Sequence, residues 1–219
     1  MANHIIIDVP GVSRKWQNSF SSFDLELVWA EDLTKNLLGW EAWRRFSPQD
    51  TLLVLPGNGA SIVKSYLPDG WLDRWHNISI YAKRYWSDKG PIVECRKIVY
   101  SERFYIGIAN IVVLDDVVSS GLTIRGVRLA DYPMVATLAN VRWHSASWLA
   151  QNSARFRGFN SFFAVRWCGS PERKDPINSL STLLADERVS KNYAKRNFSI
   201  RGQEFLEIID QLRSTLVGV

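Results

Sequence analysis

The sequence predicts an α/β fold: a mostly parallel sheet flanked by helices, carrying a variable cap. Three largely apolar runs carry that expectation, TLLVLP (Thr51–Pro56), IVVLDD (Ile111–Asp116, apolar up to its two acids) and PMVATLAN (Pro133–Asn140). Runs of this kind read as strands buried on both faces, and the helical patterns between them read as the layers that cover a parallel sheet. The third observation is where the small residues fall. GNGAS follows the first run and VVSSGLT follows the second, each between a strand and a helix.

Taken in order, Phe23–Phe46 is the first clear pattern. Leu27, Leu33, Leu37, Leu38 and Trp40 recur there at helical spacing with charges between them, and Pro48 closes the segment. Thr51–Pro56 is the first strand, and GNGAS leads into a short helix. Ile78–Trp86 (ISIYAKRYW) is a second strand, rich in β-branched and aromatic residues. Asp88–Gly107 has many charges and no period, which predicts a long loop of the functional kind. Strand IVVLDD, a helix over about 121–131 and strand Pro133–Asn140 complete the alternation. FFAVRW reads as a further strand; INSLSTLLAD and GQEFLEIIDQLRSTLV read as helices. No linker divides the chain, so one domain is expected over 1–219, with a core over about 48–140. The N-terminal helix and residues 141–219 would form the cap.

Bulk properties narrow the function less. A net charge of +5 suits an anionic ligand or nucleic acid, though a solvated basic surface explains it as well. Two isolated cysteines, Cys95 and Cys168, have no metal spacing and make no disulfide framework, which fits a reducing compartment. The run in MANHIIIDVPGV is short for a secretory core and is interrupted by Asp8, and no segment reaches the ~20 apolar residues of a membrane helix. A cytoplasmic protein without a membrane partner is expected.

The two small-residue loops carry the chemistry. In an open parallel sheet, ligands sit at the carboxyl ends of strands. A helix start there presents backbone N–H groups and a positive dipole end, which favour phosphate. Glycine admits close approach of an anion, and Ser or Thr hydroxyls add donors. Two familiar alternatives fail on single residues. A Walker A loop needs Lys where Leu122 stands, and a dinucleotide fingerprint needs a third glycine where Gly57-Asn58-Gly59 leads to Ile62. Asp115 and Asp116 are adjacent acids at a strand end, where like charges repel and burial raises the cost. Sugar hydroxyls or a cation would relieve that cost. Carboxylates for a sugar and amides for its phosphate within one short segment point to a phosphorylated ribose.

On IVVL-DD-VVSS-GLT, the chain resembles the type I phosphoribosyltransferases, whose signature is an apolar strand, two acids and a small-residue loop ending in Gly-x-Thr. The resemblance covers about 51–140 and implies a Rossmann-like phosphoribosyltransferase fold with a variable hood. It further implies that Asp115 and Asp116 hold the ribose hydroxyls of phosphoribosyl pyrophosphate (PRPP). Val118, Ser119, Ser120, Gly121, Leu122 and Thr123 would wrap its 5-phosphate. Gly57, Asn58 and Gly59 would form the pyrophosphate loop, which in the family often carries a strained cis peptide. Lys83 and Arg84 would neutralise departing pyrophosphate, and the stretch after Trp86 would close over the site. Mg²⁺ is implied, bound mainly through PRPP rather than by protein ligands. The activity implied is transfer of ribose 5-phosphate to a nitrogen base with release of pyrophosphate.

Two departures stand out. Asn58 occupies a loop position where many members have Lys or Arg. Ser119 stands where 6-oxopurine enzymes carry Asp, which disfavours hypoxanthine or guanine of the standard type. Orotate, uracil, adenine or an unusual acceptor stays open, and a homodimer is compatible with the reading. Trp143, Phe163 and Trp167 suit base stacking but are more simply core; His144 is more simply structural than a proton carrier, and Arg166 fits a surface strand position as well as a contact for an acidic base. The alternative is a regulator that senses PRPP or a nucleotide without turnover. Under that alternative the basic and aromatic stretch Lys191–Arg201 would contact nucleic acid.

Overall fold

Five consecutive buried residues, Asn3–Ile7, form β1, the middle strand of a small parallel sheet. The computed structural model describes residues 3–87, 90–95, 107–118, 123, 134–140, 161–167 and 177–217. The chain divides into two compact units, Met1–Ala30 with Ser170–Val219, and Glu31–Gly169. The expected class holds: both units are α/β, with parallel strands and helices.

In the first unit, β1 pairs on one side with β2 (Leu25–Trp29) and on the other with β10 (Ile177–Ser179), strands being numbered along the chain. Three helices follow β10: α3 (Leu180–Ala185), α4 (Glu187–Asn197) and α5 (Gly202–Val217). Their apolar faces and the strands enclose a core of Ile5, Ile7, Phe20, Phe23, Leu180, Leu183, Phe205, Ile209 and Leu212. Phe205 lies at its centre, with ring centroids 4.7 Å from Phe198, 5.7 Å from Tyr193, 5.8 Å from Phe23 and 5.9 Å from Phe20. Polar groups fix the helix starts. Asp8, buried just past β1, accepts from the Ser181 N–H at 2.8 Å and from its hydroxyl. Asp186 caps α4 by accepting from Arg188 N at 2.9 Å, and that backbone bond is the main reason its carboxyl titrates below the usual range.

The second unit holds the five-stranded parallel sheet, in the order β4-β3-β7-β8-β9. Its strands are β3 (Thr51–Pro56), β4 (His76–Ile80), β7 (Asn110–Val118), β8 (Met134–Asn140) and β9 (Ser161–Trp167). Every residue of β3 is buried, and Val112, Val113 and Leu114 of β7 are at most 1% exposed, as strands covered on both faces require. Helix α2 (Gly57–Ser65) follows β3 directly and packs against β7. β5 (Ala82–Ser87) and β6 (Gly90–Cys95) form a separate antiparallel hairpin. Trp40, Trp43, Phe46, Trp71 and Trp75 meet edge to face or tilted, and Trp43 Nε1 donates to Leu37 O at 2.8 Å. No helix among the described residues is long and apolar enough to cross a membrane.

Several elements differ from the sequence expectation. Phe23–Phe46 is not one helical stretch. Leu25–Trp29 is a strand, α1 covers only Ala30–Leu38, and a 3-10 turn follows at Glu41–Arg45. The register of β2 on β1 outweighs the helical spacing of Leu27, and Gly39 follows the last helical residue. Ile78–Trp86 breaks at Tyr81 into β4 and β5, because β4 continues the sheet while β5 turns into the hairpin. Part of the expected loop after Asp88 is β6, and residues 96–106 lie outside the described residues. INSLSTLLAD begins as β10 before becoming helical. The helix expected over 121–131 lies outside the described residues, except Thr123, which is helical.

Phe205→Ala leaves a ring-sized cavity among four other rings and should cost about 3–5 kcal/mol in the first unit. Denaturant unfolding followed by near-UV circular dichroism measures it; a loss below about 1 kcal/mol, typical of a surface change, would contradict the packing described.

Candidate functional site

After β3 the chain goes to β4 on one side of the sheet, then crosses to β7 on the other. The sheet order therefore reverses between β3 and β7. In α/β sheets, the crevice at the carboxyl ends flanking such a reversal is where ligands bind. Here the pairing of β3 with β7 runs from Thr51↔Asn110 to Val54↔Val113. Leu55 and Pro56 continue along β4, and β7 continues along β8 as far as Val118↔Asn140. The two strands part, and the start of α2 lies against the end of β7.

This parting brings together three of the segments singled out from the sequence. Gly57, Asn58 and Gly59 are the first turn of α2 rather than a free loop; Asn58 is exposed and the glycines are half-buried. Pro56 stands at the cap position without a side-chain hydrogen bond, so the opening turn is not capped in the way Ser or Asp would cap it. Asp115 is buried, 5% exposed, and Asp116 is half-buried. Both acids lie within β7, with Asp115 opposite Thr137 of β8. Asp115 Oδ1 accepts from the Asp116 N–H at 3.0 Å, and Asp116 Oδ1 from the Val117 N–H at 2.6 Å. The carboxylates reach Gly59: a Cβ built there would stand 2.6 Å from Asp115 Oδ1 and 2.7 Å from Asp116 Cγ.

Gly57 adds the third segment. Its φ of +64° is left-handed, and a Cβ on it would stand 2.8 Å from the Ala82 carbonyl oxygen. The first residue of β5 is thus pressed against the first residue of α2. Lys83 and Arg84 follow on β5, opposite Glu94 and Val93 of β6. They therefore belong to the hairpin and not to the strand that carries on the sheet. No cis peptide occurs among the described residues; the unusual backbone at this turn is Gly57.

The predicted 5-phosphate segment is described only in part. Val118 is the last residue of β7, Thr123 is helical and half-buried, and Ser119, Ser120, Gly121 and Leu122 lie outside the described residues. Trp143 and His144 also lie outside them, while Phe163, Arg166 and Trp167 are on β9. Among the described residues no three His, Cys, Asp or Glu side chains converge as a metal cage. Three neighbours of the site escaped the sequence reading. Thr137 and Asn140 are polar residues at the carboxyl end of an apolar strand, which is a legible signal. The Ala82 carbonyl has none, because its role is backbone proximity.

No family profile and no curated protein sequence matches this chain. Solved structures similar to it include a purine phosphoribosyltransferase from Pyrococcus horikoshii, 16% identical, covering 80% of this chain and 92% of that one, with a TM-score of 0.41. Another is the Helicobacter pylori xanthine-guanine-hypoxanthine phosphoribosyltransferase, 15% identical, covering 84% and 99%, with a TM-score of 0.42. A third is an adenine phosphoribosyltransferase from Leishmania donovani, 11% identical, covering 71% and 76%, with a TM-score of 0.40.

Gly57→Ala should destabilise the chain by at least about 1–2 kcal/mol, the cost of a left-handed non-glycine residue, before its contact with Ala82 is counted. Asn58→Ala, on the exposed side of the same turn, should change stability by less than about 0.5 kcal/mol. Equal effects in thermal melts would contradict the tight approach at Gly57.

Proposed function

We propose that this chain is a phosphoribosyltransferase that moves the ribose 5-phosphate of PRPP to a nitrogen base and releases pyrophosphate. One observation carries the reading: the paired acids of β7 and the glycine turn of α2 meet at the point where the sheet order reverses. Asp115 and Asp116 accept from the ribose hydroxyls and hold C1 toward the base. The first turn of α2, through Gly57 and Asn58, faces the pyrophosphate with its positive end. Lys83 and Arg84, next to Ala82, supply positive charge from the hairpin. Val118 to Thr123 take the 5-phosphate.

The reaction needs no covalent protein nucleophile. The bond from C1 to the pyrophosphate oxygen breaks, the base nitrogen forms a bond to C1, and the base gives up a proton. As the old bond lengthens, positive charge grows on the ribose ring, and the buried Asp115 and half-buried Asp116 carboxylates oppose it. The donor set fits Mg²⁺, since the acids offer hard oxygen atoms, but their Oδ1 atoms already accept backbone N–H groups. PRPP oxygens and water would therefore supply most of its ligands, and the chemistry it would supply is neutralisation of charge on the leaving pyrophosphate.

The regulator reading gains nothing from the tail. Tyr193 and Phe198, the aromatic residues of Lys191–Arg201, are 3% and 8% exposed in the core of the first unit, and Lys191 pairs with Glu187 at 2.6 Å. Base stacking on those rings would require opening that core.

Pyrophosphate release from PRPP and Mg²⁺, measured with purine and pyrimidine bases separately, tests the proposal. Release dependent on one base is expected, and Asp116→Asn should lower it by about 10²–10³-fold with an unchanged melting curve. Turnover unaffected by Asp116→Asn would take the acids out of the mechanism, and no release with any base would remove the transferase reading.

A further inference from the structure

We infer that Gly59 is a positioning residue, whose missing side chain fixes the orientation of both carboxylates, rather than a contact for pyrophosphate. The inference rests on the reading of Asp115 and Asp116 as the ribose-holding pair. It starts from a conflict in the helix itself. Gly59 is the third residue of α2 and, unlike Gly57, has no left-handed φ. Any residue could adopt its backbone, and alanine is the better helix former. The backbone gives no reason for glycine here.

Space gives one. A Cβ on Gly59 would overlap Asp116 Oδ1 and stand 2.6 Å from Asp115 Oδ1. Neither side of this contact yields easily. Ala60 and Val63 of α2 are fully buried, and β7 is held in register on β8 through Asp115↔Thr137 and Val117↔Ala139. What remains is rotation of the short acid side chains. That rotation would pull Asp115 Oδ1 from the Asp116 N–H and Asp116 Oδ1 from the Val117 N–H. The bare Cα of Gly59 is therefore the wall against which both carboxylates are set.

The test is a stability cycle joined to a binding measurement. Gly59→Ala is melted in the natural chain and in a chain carrying Asp115→Ala and Asp116→Ala. The melting temperature should fall in the first background. In the second it should be unchanged or rise, because the clash is gone and alanine favours the helix. An equal fall in both, or failure to fold in both, would overturn the inference; failure to fold only with the acids present would support it. Calorimetry with Mg²⁺ then separates the roles: Gly59→Ala should weaken PRPP by about tenfold or more and leave inorganic pyrophosphate little changed. Equal losses of both would make Gly59 a pyrophosphate contact and overturn its assignment. A sign reversal in the stability cycle, with no PRPP binding even by the natural chain, would uphold the positioning role and discard the phosphoribosyl reading.

Discussion

In the second unit, two carboxylates of β7 occupy the space that a Cβ on Gly59 of α2 would need. Asp115 and Asp116 reach across the gap where β3 and β7 part, and they occupy the space a side chain on α2 would need. Helix α2 begins directly after β3, and its first turn carries no side chain at Gly59 on that side. Gly57 repeats the arrangement toward Ala82, so one short turn is pressed from two directions. Such close backbone approach costs flexibility and concentrates charge.

The first unit solves a different problem. Its sheet has only three strands, one of them three residues long, yet Phe20, Phe23, Tyr193, Phe198 and Phe205 pack into a continuous aromatic core. At the carboxyl end of β1, Asp8 is bonded to Ser181 at the start of α3. The chain's own carboxylate thus satisfies the helix start there. In the second unit no side chain of Pro56 caps α2. The two strand ends differ in chemistry: an internal acid meets the helix start after β10, and glycines form the helix start after β3.

Much of this was legible in the sequence where burial is two-sided. TLLVLP and PMVATLAN become β3 and β8 nearly to the residue, because a continuous apolar run has few other destinations in a parallel sheet. Helical spacing misled at Leu27, where pairing with the Ile-rich β1 decides the outcome and is not a local property. Position 81 was unreadable for the same reason: ISIYAKRYW is uniformly strand-like, and only the sheet order shows where it changes partners. At the site, the acids and glycines were legible by residue type. Their meeting was not, since Gly59 touches Asp115 and Asp116 across more than fifty residues of chain.

Hydrogen–deuterium exchange with and without PRPP and Mg²⁺ addresses that meeting most directly. Binding at the crevice should slow exchange together in peptides covering 56–60 and 114–118. Protection confined to other segments, or none at saturating PRPP, would contradict a sugar-phosphate site at the junction of α2 and β7.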